Sequence, residues 1–160
     1  MVRIRIAGIV EESAADGPGL RMVVFTQGCF HHCPGCHNPH THDPAGGEWA
    51  DTEEILKRFK ANPLLAGLTI SGGEPVIQAA AAGALARGVK ESGKTVLLYS
   101  GYTIEELQAL SRKDEAVSFL LSYTDILIDG PFIEAERDLD LAFRGSRNQR
   151  IIQMTDFLGV

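Results

Sequence analysis

The sequence predicts an α/β fold, and three features predict it. Short runs rich in β-branched residues alternate with helical patterns, most of those runs end at glycine, and the segments between them are long enough for parallel crossovers. The strand-like runs are "RIRIAGIV" (3–10), "LRMVVFTQG" (20–28), "GLTISGG" (67–73), "KTVLLYSG" (94–101), "DILIDGP" (125–131) and "QRIIQM" (149–154). Asp51 with Glu54 reads as a capping box ahead of an apolar face of Ile55, Leu56 and Phe59. Ile77, Ala80, Ala84, Leu85 and Val89 mark a second face inside an alanine-rich, helix-favouring run. Thr103 and Glu106 form a further capping box, with Ile104, Leu107 and Leu110 behind it, and Asp114 to Tyr123 reads as a fourth helix. No repeat, low-complexity tract or linker divides the chain. Residues 1–160 are therefore expected to form a single domain, an open sheet or a partial barrel.

Composition bounds the function. A chain of 160 residues, 44% apolar and 22% charged, is that of an ordinary globular protein, long enough to bury ~70% of its unfolded surface. A formal net charge of −6 argues against a dedicated nucleic-acid binder. Arginines interrupt the apolar start "MVRIRIAGIV", so it does not read as a secretory signal. The uncharged stretches "ANPLLAGLTISGG" and "PVIQAAAAGALA" fall short of the ~18 residues of a membrane span. A cytoplasmic location is expected.

The chemistry is concentrated in "GCFHHCPGCHNP" (28–39), which holds all three cysteines and His31, His32 and His37; His40 and His42 follow at once. An odd number of clustered cysteines in a cytoplasmic chain points to metal or redox work rather than disulfides. Cys29, Cys33 and Cys36 are spaced C-x3-C-x2-C. That spacing suits two centres. One is a Cys3His zinc site completed by a nearby histidine. The other is a four-iron cluster on three cysteinates, leaving one iron open. The loop hangs from the carboxyl end of a strand, as do "SGGEP", "SGYT" and "DGPF", and ligands in such folds gather at those ends. Four such segments imply one shared site.

These motifs carry a resemblance. C-x3-C-x2-C with a later "GGEP" is similar to the radical S-adenosylmethionine superfamily. Its fold would be a partial (β/α) barrel with a mostly parallel sheet, without an accessory ferredoxin-like domain. "DGPGLR" (16–21), "GCFHHCPGCHNP", "SGGEP", "YSGYT", "DGPF" and "FRGSRNQRII" stand in the order of the anaerobic ribonucleotide reductase activating proteins, from residue 16 to residue 152. Many superfamily members carry an aromatic or large apolar residue before the third cysteine; here it is Gly35, as in the reductase activators.

The resemblance implies a [4Fe–4S] cluster on Cys29, Cys33 and Cys36, with S-adenosylmethionine on the open iron. It implies reductive cleavage of that cosubstrate and abstraction of hydrogen from a glycine of the reductase, leaving a glycyl radical. Gly35, Cys36 and His37 would lie beside the adenine. Gly72 and Gly73 would allow close backbone approach, Glu74 would accept from the methionine ammonium, and Ser100 would bond ribose or carboxylate. "SGGEP" alone also reads as a strand-to-helix turn, with Pro75 in the first helical turn. Ser100 also reads as a helix-start residue, and His32, His40 and His42 as polar loop filling. His31 could tune the cluster or meet the partner. "DGPGLR" reads as turn chemistry or as part of the site. Arg144, Arg147 and Arg150 read as a solvated face or a docking patch.

Three cysteines leave none for a second, electron-feeding cluster, so an external donor such as a flavodoxin or ferredoxin is implied. The partners expected are the large subunit of the reductase and that donor, and the chain is compatible with a homodimer; neither nucleic acid nor membrane is expected. The alternatives are a radical enzyme with another target (a different glycyl-radical enzyme or a small heterocycle) and a Cys3His zinc module that binds proteins.

Overall fold

A computed structural model describes residues 2–31, 33–36 and 39–154. Its elements in chain order are β1 (Arg3–Ser13), β2 (Arg21–Thr26), β3 (Glu48–Asp51), α1 (Thr52–Lys60), β4 (Gly67–Gly72), α2 (Ala79–Glu91), β5 (Thr95–Tyr99), α3 (Ile104–Ser111), α4 (Glu115–Ser122), β6 (Ile126–Asp129) and β7 (Arg150–Gln153). The strands form one sheet of order β3-β1-β2-β4-β5-β6-β7. Its centre, β2-β4-β5-β6, is parallel. β1 and β3 flank it antiparallel on one side and β7 antiparallel on the other. The expected α/β class holds, with an open mixed sheet built around four parallel strands.

The central strands are buried on both faces, which explains why they read as nearly continuous apolar runs. Alternate residues point to opposite faces. Met22, Val24, Leu68, Ile70, Val96 and Leu98 pack against Leu85, Ala86 and Val89 of α2, Leu107 of α3 and Leu120 of α4. The intervening residues, Arg21, Val23, Phe25, Thr69, Ser71, Leu97 and Tyr99, form the second face. Among the described residues no long helix covers that face. The 14–20 segment lies on it, since a Cβ on Gly17 would stand 2.9 Å from the Leu97 side chain. The 130–149 segment reaches it where the Tyr99 hydroxyl donates to the Phe143 carbonyl at 2.6 Å.

Local rules account for most boundaries. Thr103 and Glu106 form the full reciprocal capping box at α3. At α1 the expected box does not form: the Asp51 side chain accepts from Glu53 N, not from the third helical residue, and the Glu54 carboxylate meets Lys57 Nζ at 3.2 Å instead. Pro75 does not start α2 directly. It opens a 3₁₀ turn, Pro75–Gln78, capped by Glu74, and α2 follows at Ala79. This rotates the expected face of α2: Leu85 and Val89 are buried with Ala81, Ala82 and Ala86, whereas Ile77 and Ala80 are exposed. Among the described residues no helix is long and apolar enough to cross a membrane.

Candidate active site

Register brings the carboxyl ends of β2, β4, β5 and β6 together, with Thr26 opposite Gly72 and Tyr99 opposite Ile128. Over these ends, on the second face of the sheet, lies a cavity of about 500 Å³. Phe25, Ser71 and Tyr99 line its sheet side, Gly72, Gly73, Ser100 and Gly101 its strand-end rim, and Cys29, Cys33 and Cys36 one wall. Phe132, Phe143 and Arg144 close it from the 130–149 segment, and Asp16 of the "DGPGLR" stretch borders it as well. The four strand-end segments thus share one site.

The base of the cysteine loop is tied down by backbone bonds. Gly28 N donates to Thr41 O at 2.6 Å and Cys29 N to His42 O at 3.1 Å. Glu74 N donates to Gly28 O at 2.7 Å, joining the loop to the end of β4. The two glycines of "SGGEP" are required by this closeness. Gly72 has φ +104°, and a Cβ there would lie 2.3 Å from Thr26 N, while a Cβ on Gly73 would lie 2.3 Å from the Gly28 carbonyl. Cys29 is buried, and Cys33 and Cys36 are half-buried, linked by Cys36 N donating to Cys33 O at 3.1 Å. Among the described residues no three His, Cys, Asp or Glu side chains converge on a single-ion site. Three sulfurs that each hold a different iron need not converge in that way.

Glu74, expected to accept from the cosubstrate ammonium, lies just past β4. It is 1% exposed, and its carboxylate is surrounded by donors of the protein itself. Oε1 accepts from His31 Nε2 at 2.6 Å and Gly101 N at 2.8 Å, Oε2 from Val76 N at 3.0 Å, and the Ser100 hydroxyl lies 3.0 Å from both oxygens. Ser100 therefore borders the cavity with its hydroxyl committed to Glu74, and the same oxygen accepts from Tyr102 N at 3.1 Å. The hydrogen bond to Glu74 raises the His31 pKa above its ordinary value, against the opposing effect of burial. Gly35 lies beyond the cavity wall, where a Cβ would meet the Glu134 carboxyl group at 3.0 Å. His32 and His37 lie outside the described residues. His42 borders the cavity and His40 is exposed. Arg150 turns away to Asp129 and Glu105, while Arg147 is exposed.

Two groups on the second face were not singled out by the sequence reading. Arg21 is fully buried, its guanidinium bonded to the Thr69 and Thr95 hydroxyls, each at 2.9 Å, and to the Pro18, Leu68 and Thr95 carbonyls. Burial lowers its pKa from the ordinary value. Tyr99 has its pKa raised, chiefly by burial and then by the nearby Asp16 charge. The available signal was alternation: a tyrosine between core-facing positions, at the end of a strand buried on both faces, must put its hydroxyl somewhere on the opposite side.

The family model described as "4Fe-4S single cluster domain" matches residues 15–152. The anaerobic ribonucleoside-triphosphate reductase-activating protein of Vibrio cholerae is 36% identical over 148 residues, covering 88% of this chain and 92% of that protein. Its namesake from Enterobacteria phage T4 is 32% identical over 147 residues, 88% of each chain. The pyruvate formate-lyase-activating enzyme of Clostridium pasteurianum is 34% identical over 131 residues, 78% of this chain but 55% of that enzyme.

Proposed function

Because the chain belongs to the 4Fe-4S single cluster domain family and, within it, to the anaerobic ribonucleoside-triphosphate reductase-activating proteins, we propose that it activates an anaerobic ribonucleotide reductase. The reaction is installation of a glycyl radical on the large subunit of that reductase. The observation that supports it is the meeting of Cys29, Cys33 and Cys36 with the glycine turn of β4 on one cavity. Three soft thiol donors on one wall suit a [4Fe–4S] cluster with one iron left open. When bound, the cluster and S-adenosylmethionine supply the reductive cleavage and the hydrogen abstraction.

The chain's own residues bind, orient and exclude. Cys29, Cys33 and Cys36 would hold the cluster. Gly72 and Gly73 would let backbone approach the cosubstrate, and Gly35 and Cys36 would lie on the side of its adenine. Phe25, Phe132 and Phe143 give part of the cavity an apolar lining, which would help exclude water once the cosubstrate is bound. All three cysteines are used on one centre, so electrons come from an external donor of the flavodoxin or ferredoxin kind. The whole chain works as one domain in the cytoplasm. The likeness to the reductase activators runs along nearly their whole length and to the pyruvate formate-lyase activator along about half, which favours the reductase as target.

The test is anaerobic reconstitution with iron and sulfide, followed by S-adenosylmethionine, a strong reductant and the reductase. 5′-Deoxyadenosine formation that depends on Cys33, with a glycyl radical signal on the reductase, is the expected result. Zinc near one per chain, with no sulfide and no cosubstrate cleavage, would overturn it in favour of a binding module.

A further inference from the structure

We propose that Glu74 acts as a positioning residue for the cysteine loop, holding it through His31, and does not contact the cosubstrate. The inference rests on the reading of Cys29, Cys33 and Cys36 as cluster ligands. His31 lies between Cys29 and Cys33, and it is the loop's one side-chain attachment to Glu74 among the described residues. Its Nε2 donates to Glu74 Oε1 at 2.6 Å, 43 residues away in sequence. The ring also stands edge-on to Tyr102, with centroids 4.6 Å apart and planes at 76°. Gly101 leaves space for it, since a Cβ there would lie 2.5 Å from His31 Cδ2. The imidazole is therefore held from three sides by the ends of β4 and β5.

The carboxylate has little capacity for anything else. His31, Gly101, Val76 and Ser100 occupy both oxygens, and Glu74 is 1% exposed. A cosubstrate ammonium would have to displace a buried, charge-assisted bond to reach it. Glu74 also caps the 3₁₀ turn that leads into α2. One carboxylate thus joins the cysteine loop to the rigid sheet, which fixes two thiols before any cluster binds. A loop so held does not have to be ordered by the incoming cluster.

The test is hydrogen exchange of peptides covering residues 28–36 in the cluster-free protein, with cosubstrate affinity measured per loaded cluster. Glu74→Ala and His31→Phe should each raise loop exchange by about ten-fold or more, the scale of one charge-assisted bond. Affinity for S-adenosylmethionine should change less than about three-fold. His31→Gln, whose amide nitrogen can stand where Nε2 stood, should restore protection in large part. Gly101→Ala should loosen the loop as His31→Phe does. Should Glu74→Ala fail to fold, the His31 and Gly101 variants decide the matter, since both leave Glu74 in place.

Unchanged loop exchange in His31→Phe would overturn the proposal. So would a large loss of cosubstrate affinity in Glu74→Ala with loop protection intact. A protein that takes up no cluster, but whose loop still depends on Glu74 and His31, would overturn the proposed function and leave the positioning role standing.

Discussion

Two buried carboxylates stand at the carboxyl ends of parallel strands, Glu74 just past β4 and Asp129 closing β6, and they do opposite kinds of work. Asp129 is fully buried and accepts from Ile104 N at 2.8 Å and from the Arg150 guanidinium at 2.5 and 3.1 Å. Every partner belongs to α3 or β7, elements that pack for their own reasons. Glu74 gathers strand-end donors too, but one of its partners is a loop histidine flanked by cysteines. A carboxylate whose partners all sit on regular elements fastens the scaffold. One that reaches into an irregular loop sets the geometry of what the loop carries.

The comparison is broken most completely by removing what the loop carries. Cys29→Ala, Cys33→Ala and Cys36→Ala should each abolish cluster assembly and all cosubstrate cleavage, while the melting curve stays that of the cluster-free wild type. Iron and sulfide analysis with calorimetry checks both halves. Next in size, Asp129→Ala should lower global stability by about 2 kcal/mol, the scale of lost bonds between charged groups. The Arg150 end of that pair is half-exposed, which keeps the effect modest. Cluster content per folded molecule should not fall, and a denaturant titration beside iron analysis tests this. If Asp129→Ala emptied the site as the cysteine variants do, the division of labour would be wrong.

A finer test uses pH. Arg150 bonds Glu105 and holds its pKa down to about 2 from an ordinary 4.5. The folded value lies below the unfolded one, so the contribution of Glu105 is complete above the ordinary range and is lost as pH falls towards 2. Wild type and Glu105→Gln should therefore differ in melting temperature at neutral pH and converge near pH 2, the gap being small because the pair is exposed. The smallest effect expected is at Arg147, which is exposed and outside both hubs. Arg147→Ala should leave uncoupled cosubstrate cleavage intact and lower glycyl radical yield on the reductase a few-fold if it serves docking.

Much of this was legible in the sequence because it is written in local pattern. The six apolar runs became six strands, and Thr103 with Glu106 became the full cap it resembled. β3 was missed because "EWAD" has neither alternation nor a β-branched run. It is a strand because β1 offers it an edge, pairing Ile4 with Ala50 and Arg5 with Trp49. The face of α2 was misjudged by a few residues because Pro75 opens a 3₁₀ turn, whose period differs from that of the helix after it. At the site, the three cysteines stood out by their spacing within one loop, and the two glycines of "SGGEP" were readable because backbone closeness demands that residue type. The partner of Glu74 was not, because a carboxylate in "SGGEP" looks the same whether it faces a ligand or a histidine 43 residues upstream.

The arrangement of floor and roof around the cavity has a consequence for biosynthesis. A chain leaves the ribosome from its amino end, so Cys29, Cys33 and Cys36 emerge early. The strands that form the floor, β2, β4 and β5, follow by residue 99. Phe132, Phe143 and Arg144, which close the cavity, emerge only afterwards. The nascent protein therefore passes through a stage in which its thiols and their floor have been made and the cover has not.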